Sequence, residues 1–500
     1  MFLWPLKNIR FISVFVFLFI LLFTVWSQSS LYGQEDGDYW IVVYDSRYED
    51  SFDDTIEKAL FIDVDGNGDI AVAGYYEIHA KESRAIAIKL NSSGDLLWEA
   101  EYASDYFEDS EDNRVWPRAM KTDLEGNVFI TGWTKLPSHD FFTIKYDSNG
   151  NLEWENFYGE DEVEDEPFDL AVDDQGNAYV AGKCPGNGYD YRTLKYNAQG
   201  DLVWEVTYDA GGNSDFIHAI AVDESGNVFV TGEAHIFETD SYNIATVKYN
   251  SDGEEQWVAT YDNNGIGASG YKLAIDSQAN ILAAGFSKTG GDKSSTTCAV
   301  VKYNQNGDLQ WNNNTVCSLG FEEYGIYLAT DSQDNVYLGS ITSGEISSYE
   351  FTVAKYDTEG NEEWIRLYSG GQHCTMTDMA IDDNGNVVIT GNANYNDFWF
   401  SVTLIYDTDG ELKQEILIPH LESPSPGSDH IQILNDLTFD SNGNLYAAAS
   451  NGWDFLVVKN LQYIPEDELE NDDDNDDTSD DGNNDVSDDD NDDDSGACGC

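Results

Sequence analysis

Lys145-Tyr146-Asp147-Ser148-Asn149-Gly150-Asn151-Leu152-Glu153-Trp154 reads as one β-hairpin. Asp147 caps the turn through its own side chain, Gly150 supplies the left-handed conformation, and the alternation on either side gives half-buried strands. The stretch recurs from Lys195 to Trp204, Lys248 to Trp257, Lys302 to Trp311 and Lys355 to Trp364, while Lys89-Leu90 to Trp98 varies only at the Tyr. A hairpin that recurs this often makes the chain a repeat protein, and the period decides the fold.

Ahead of each hairpin stands a second anchor: an Asp, a short Gly-Asn turn, an apolar alternation and usually a Gly. Asp123 to Gly132, Asp173 to Gly182 and Asp223 to Gly232 are the clearest copies, followed by Asp276 to Gly285, Asp331 to Ser340, Asp382 to Gly391 and Asp440 to Ala449. An expanded form from Asp63 to Gly74 completes eight copies spaced 50 to 60 residues apart. Each repeat therefore reads as four short antiparallel strands, ending at the Asp, near the Gly, at Lys-Tyr and at Trp-x-x-x-Tyr. Four-stranded units at this period are β-propeller blades, packed so that each sheet buries both faces. The mature chain opens with a lone fourth strand, Trp40–Tyr44, and the last repeat stops after its third, Phe455–Lys459. The expectation is an all-β, eight-bladed propeller over residues 38–460, closed by the N-terminal strand completing the last blade.

These residues resemble the bacterial SBBP-type β-propeller repeats, whose pattern A-x-D-x-x-G-N-x-Y-V-x-G, followed by a K-x-D-x-x-G-x-x-x-W strand pair, fits the chain. Gln414 in place of Trp and Asn460 in place of Tyr depart from it. The resemblance implies export and surface display and does not fix one activity. The Tyr-Asp-Ser-Asn-Gly-Asn-Leu-Glu-Trp run is also similar to the tryptophan-docking motif of eight-bladed quinoprotein dehydrogenases. That similarity implies a packing role for the Trp series; the chain has no vicinal cysteine pair for quinone chemistry.

Composition narrows the partners. With 95 Asp and Glu against 24 Lys and Arg, a net charge of −71, nucleic acid is excluded as a partner of the whole chain. A hydrophobic fraction of 41% and an aromatic one of 13% are enough for a large core. Lys7 and Arg10 precede an apolar run from Phe11 to Trp26, so residues 1–33 read as a signal peptide, with an uncleaved anchor as the alternative. Residues 466–500 form an acidic tail, expected to be disordered and ending Cys498-Gly499-Cys500, either a cell-envelope attachment point or a solvated end. Localisation is expected to be secreted or bacterial cell surface, and the protein a monomer.

Export makes disulfides permissible. Counting from the turn at Asn304–Gly307 sets Cys298 opposite Asn313, so a bond to Cys317 needs a bulge among Asn312, Asn313 and Asn314; the pairing of Cys184 and Cys374 stays open. Asp63-Val64-Asp65-Gly66-Asn67-Gly68-Asp69 is the sharpest local motif. Oxygen donors at alternating positions of a Gly-rich loop suit a hard cation and resemble the start of EF-hand and integrin-type propeller loops, so Asp63, Asp65, Asn67 and Asp69 are candidate Ca2+ ligands. An enlarged polar turn, two residues longer than in the other repeats, is the alternative. His218 and His373 fall near the expected axial mouth, and the insertions Asp105–Pro117 and His420–His430 are places for binding residues. No catalytic triad or phosphate loop is present.

The functional expectation is a displayed scaffold that binds a protein or a polysaccharide and is stabilised by calcium. The alternative is a propeller-superfamily enzyme, quinoprotein-like or polysaccharide-active, with carboxylates at the axial mouth. Acids, aromatics and a basic residue converging on the axis are the mark of that alternative.

Overall fold

The computed structural model describes residues 30–460 except 37–38, 46–55, 80–81, 104–112, 137, 160–162, 187, 212, 238, 290–294, 316, 318–324, 344–348, 371–372, 396–397, 420–432 and 451–454. Residues 1–29 of the 1–33 signal segment, most of the Asp105–Pro117 insertion, the His420–His430 insertion and the acidic tail lie outside the described residues; residues 30–33 of that segment fall within a strand, Ser30–Asp36. Those described fall within one compact unit, Trp26–Tyr463, and contain no helix.

The chain opens with β1 (Ser30–Asp36) and β2 (Tyr39–Asp45). Repeat 1 contributes β3 (Ile56–Val64), β4 (Ile70–His79), β5 (Glu82–Leu90) and β6 (Leu96–Tyr102), and repeat 2 β7 (Asn113–Thr122), β8 (Val128–Leu136), β9 (Ser138–Tyr146) and β10 (Leu152–Tyr158). Repeat 3 holds β11 (Glu166–Val172), β12 (Ala178–Gly186), β13 (Gly188–Tyr196) and β14 (Leu202–Tyr208), and repeat 4 β15 (Phe216–Val222), β16 (Val228–Ile236), β17 (Ser241–Tyr249) and β18 (Glu255–Tyr261). Repeat 5 holds β19 (Ala268–Ile275), β20 (Ile281–Thr289), β21 (Ser295–Tyr303) and β22 (Leu309–Thr315), and repeat 6 β23 (Tyr327–Thr330), β24 (Val336–Ser343), β25 (Tyr349–Tyr356) and β26 (Glu362–Tyr368). Repeat 7 holds β27 (His373–Ile381), β28 (Val387–Tyr395), β29 (Phe398–Tyr406) and β30 (Leu412–Pro419), and repeat 8 β31 (Ile433–Phe439), β32 (Leu445–Ser450) and β33 (Phe455–Lys459).

Repeats 3 to 7 each form a four-stranded antiparallel sheet in sequence order. Repeats 1 and 2 are joined into one eight-stranded sheet by a short parallel ladder, Glu82 with Asn113 and Ser83 with Arg114. The strands thus make seven sheets rather than eight separate ones. The last is five-stranded, β31-β32-β33-β2-β1: the N-terminal β2 completes repeat 8, with Trp40 opposite Lys459 and Val42 opposite Val457, and β1 adds a further outer strand.

Each first strand lies against the next, from β3 through β7, β11, β15, β19, β23 and β27 to β31, and β31 lies against β3. Between sheets the faces are apolar; one core cluster joins Trp40, Val42 and Tyr446 of the last sheet to Ile62, Ile70 and Ile88 of repeat 1. Seven Trp clamp successive repeats. Trp154, for example, donates its Nε1–H to the Ala198 carbonyl, and its ring covers Gly200, where φ is +86° and an added Cβ would lie 2.6 Å from the indole. Trp40, Trp98, Trp204, Trp257, Trp311 and Trp364 do the same onto the turns at Ser92, Ser148, Ser251, Gln305, Thr358 and Thr408.

Candidate axial site and its mouth

The turn Asp fixes the phase of every first strand. Asp123 Oδ1 accepts the Asn127 N–H at 2.9 Å, and Oδ2 accepts the Asn127 side-chain amide at 2.7 Å. In repeat 1 the same role belongs to Asp65, whose Oδ1 accepts Asn67 N–H at 2.7 Å and Asp69 N–H at 3.0 Å, and whose backbone N–H bonds the Asp69 carbonyl as Asp123 bonds Asn127. The expected two-residue enlargement is therefore absent: both turns close over the same number of residues, and Asp63 belongs to β3. The four expected Ca2+ ligands are divided. Asp63 Oδ2 accepts the N–H and the hydroxyl of Thr122 in the next repeat, while the buried Asp65 carboxylate pairs with Lys89 Nζ at 2.6 Å. Lys89 places a positive charge in the turn.

Aligning the repeats on this Asp exposes a column that sequence reading missed. Four residues before it stand Asp169, Lys272, Tyr327, Asp378 and Asp436, and two residues before it Asp63 and Lys121; most other repeats carry Ala there. All lie on first strands. Charged residues inside otherwise apolar strands were the available signal, but only the spatial succession of the first strands gathers them.

Four of these carboxylates stitch neighbouring first strands by accepting their backbone N–H groups, Asp63 through Thr122 of β7. Asp169 Oδ2 accepts from Ile220 at 3.0 Å, Asp378 Oδ2 from Leu437 at 2.8 Å and Asp436 Oδ2 from Ile62 at 2.9 Å. The Asp378 and Asp436 side chains are also hydrogen-bonded to one another. Desolvation raises both carboxyls, Asp436 well above the usual range with Asp378 adding to the effect, so the pair keeps a shared proton. Burial raises Asp169 too. Desolvation opposes the charge of Lys121, but Asp63, Asp436, Asp169 and Asp378 outweigh it and raise its pKa. Lys121 and Lys272 nonetheless keep exposed surface, and the Asp side chains are half-buried, so space open to water remains among them.

Towards the starts of the first strands the lining changes to aromatic. Tyr75 meets Trp116 edge-on, Trp116 meets Trp133 at 4.3 Å between ring centroids, and Trp133 stacks on His139 at 4.1 Å. His139 Nδ1 lies 3.0 Å from Glu166, which also pairs with Lys183 at 3.3 Å; Lys183 sits over the Phe168 ring. Phe168 touches His218, and His218 stacks on Tyr271 at 4.5 Å. The result is an unbroken arc across repeats 1 to 5, with Tyr75, Trp116, His139, Phe168, His218 and Tyr271 only partly buried. Burial, then the Lys272 charge, lowers the His218 pKa to about 4, so it is neutral at pH 7. His139, Glu164 and Glu166 also lie close enough to share a cation, but Lys183 occupies the Glu166 carboxylate. Of the two histidines expected at the mouth, His218 is in the arc; His373 begins β27, and its side chain lies outside the described residues.

Cations concentrate here. Lys58, Arg114, Arg118, Lys121, Lys183 and Lys272 stand along the arc or just inside it, six of the 24 basic residues of the chain. Seven more, Lys89, Lys145, Lys195, Lys248, Lys302, Lys355 and Lys459, each donate to a turn carbonyl of the following repeat.

Among solved structures, a Lactobacillus plantarum protein is similar at 15% identity over 70% of this chain and 96% of its own, with a TM-score of 0.43. A periplasmic gluconolactonase of Pseudomonas aeruginosa is similar at 13% identity over 73% of this chain and 98% of its own, with a TM-score of 0.42. An ulvan lyase is similar at 10% identity over 66% of this chain and 89% of its own, with a TM-score of 0.40. No curated protein matches the chain. Residues 206–237, which run from the end of β14 to just beyond β16, match the SBBP family, described as a beta-propeller repeat. The chain is thus a carrier of the SBBP beta-propeller repeat.

Proposed function

We propose that this chain is an exported, eight-bladed β-propeller that binds an acidic glycan across the aromatic arc at its axial mouth. The observation that carries the reading is the concentration of cations beside partly exposed aromatic rings on a protein of net charge −71. Aromatic faces stack on sugar rings, and Arg118, Lys183 and their neighbours offer donors to uronate or sulfate groups. Support for eight blades comes from the succession of eight first strands and from the pairing of β2 with β33. Support for export comes from the apolar run after Lys7 and Arg10, together with the Cys298–Cys317 disulfide. Acids, aromatics and lysines do converge on the axis, the mark of the enzyme alternative; in this reading the axial carboxylates hold the first strands together, and the Asp378–Asp436 pair does not hydrolyse the ligand. Two side chains hydrogen-bonded to one another stand too close for the two-carboxylate glycosidase geometries, which need about 5 Å or more.

Isothermal titration with polygalacturonate and with neutral dextran tests this. Polygalacturonate should bind, more weakly as salt rises, and dextran should not. Arg118→Ala, on an exposed side chain, should cost about tenfold in affinity, the loss of one charge-assisted contact. Equal binding by wild type and R118A, or no binding of polygalacturonate, defeats the proposal.

A further inference from the structure

A second acidic site lies at the connector between repeats 3 and 4. Asp190 comes from β13, Asp209 directly follows β14, and Asp215 directly precedes β15. One carboxylate oxygen from each lies within 4.8 Å of the other two. Asp190 is 7% exposed and Asp215 fully buried, while Asp209 opens to solvent.

The connector's own hydrogen bonds account for Asp209 and Asp215. Asp215 accepts the His235 and Ala210 N–H groups, each at 2.7 Å, and Asp209 accepts Gly211 N–H at 2.6 Å. Asp190 is different: its Oδ1 is buried and has no hydrogen-bond partner. A buried carboxylate oxygen left without a donor, on a side chain set beside two further carboxylates, is costly unless a cation or a proton completes it. Burial, then Asp209 and Asp215, pushes its carboxyl up to about 6. The nearby cation, Arg192, is turned elsewhere, with Nε towards Cys184 Sγ at 3.2 Å and one terminal nitrogen 3.7 Å from Glu205.

The preceding connector provides an internal comparison. There Asp140 and Asp165 occupy the positions of Asp190 and Asp215, and Asp165 N–H bonds the His139 carbonyl as Asp215 N–H bonds that of Tyr189. Gly159 stands in the place of Asp209. The third acid is what distinguishes the connector between repeats 3 and 4.

We propose that Asp190, Asp209 and Asp215 bind a hard divalent cation, Ca2+ by their oxygen-only donor set, and so pin β13 and β14 of repeat 3 to the start of β15 in repeat 4. Three carboxylates leave the remaining positions of a six- to eight-oxygen shell to water, which enters on the Asp209 side. The site is independent of the glycan reading.

Terbium luminescence on the full-length protein tests it. Tb3+ stands in for Ca2+, and aromatic sensitisation reports only sites near Tyr or Trp. Tyr189, Tyr191 and Tyr208 belong to this connector's strands, whereas residues 466–500 contain neither aromatic. Sensitised luminescence should appear, be displaced by Ca2+ at up to about 10 mM, and fall about tenfold in affinity on Asp209→Asn. Asp209 is exposed, so D209N should keep the wild-type near-ultraviolet circular dichroism; D190N is the second variant and should lose the signal as well. Luminescence unchanged in D209N and D190N would place the ion elsewhere, at Asp63–Asp69 included, and overturn the proposal. Absence of sensitised luminescence, or of displacement by Ca2+, would overturn it equally.

Discussion

Trp154 contributes through three links at once: its ring fills the gap beneath a turn, its N–H satisfies a carbonyl, and the turn it covers can only be closed by Gly200. Removing it in Trp154→Ala should cost about 3 kcal/mol, the low end for a large aromatic, read as a lowered denaturant midpoint. Gln414 shows the converse. Each Trp, and each Lys but Lys89, acts on the next repeat's hairpin turn between third and fourth strands, and repeat 7 faces repeat 8, whose third and fourth strands, β33 and β2, are far apart in sequence. With no covalent turn to clamp, Gln414 and Ile405 replace the Trp and the Lys, and Ile405 and Ile416 pack instead with Val388, Leu437 and Val458. Gln414→Trp should therefore leave the midpoint unchanged or lower it; a rise comparable to the W154A loss would contradict this account. Sequence spacing made the Trp–Gly pairs readable. It misplaced the turn of repeat 1, because Asp63 and Asp65 both satisfy the pattern and only the bonds to Asn67 and Asp69 choose between them.

At the level of elements, register depends on bulges that composition conceals. Seven hairpins share the shift seen where Tyr303 faces Leu309 but Lys302 faces Trp311, leaving Gln310 unpaired. Cys298 consequently faces Thr315, two residues short of Cys317, and not Asn313. The bulge expected among Asn312, Asn313 and Asn314 lies instead at Gln310, and the disulfide forms with Cα atoms 5.4 Å apart. It closes a short loop, so replacing both cysteines by Ser should cost about 3 kcal/mol, measurable by denaturation with and without reductant. Cys184 and Cys374 are buried free thiols, and burial raises both; that of Cys374 reaches about 11. Strand existence and order were legible from the two anchors. The first-strand bulges were not, although Gly132 marks one: a Cβ there would collide with the Trp116 carbonyl at the bulge.

For the whole molecule, the axial carboxylates set a pH dependence. The folded state holds protons on Asp169, Asp378 and Asp436 at pH values where the unfolded chain, with carboxyls near 4, has lost them. Their contribution to stability is complete below about pH 4 and is lost as pH rises through the raised folded values. His218 acts with the opposite sign, its contribution being lost as pH falls from its ordinary range towards about 4, and it is common to wild type and to Asp436→Asn. The melting temperature of wild type should therefore fall relative to D436N between about pH 5 and pH 8. Parallel curves would show that the pair does not share a proton. The axial column escaped sequence reading because its members are separated by whole repeats and meet only when eight first strands come together.

The pairing of β2 with β33 also imposes a timetable. Val42 leaves the ribosome about 400 residues before its partner Val457, which at ordinary synthesis rates is roughly 20–80 s. Throughout that interval Trp40-Ile41-Val42-Val43-Tyr44 is an apolar β-forming segment without its native neighbour, the kind of edge that recruits other chains. The local hairpin with β1 can form at once and shields one of its two edges. The other stays open until β33 has been made, so that edge goes without its native partner for almost the whole of synthesis.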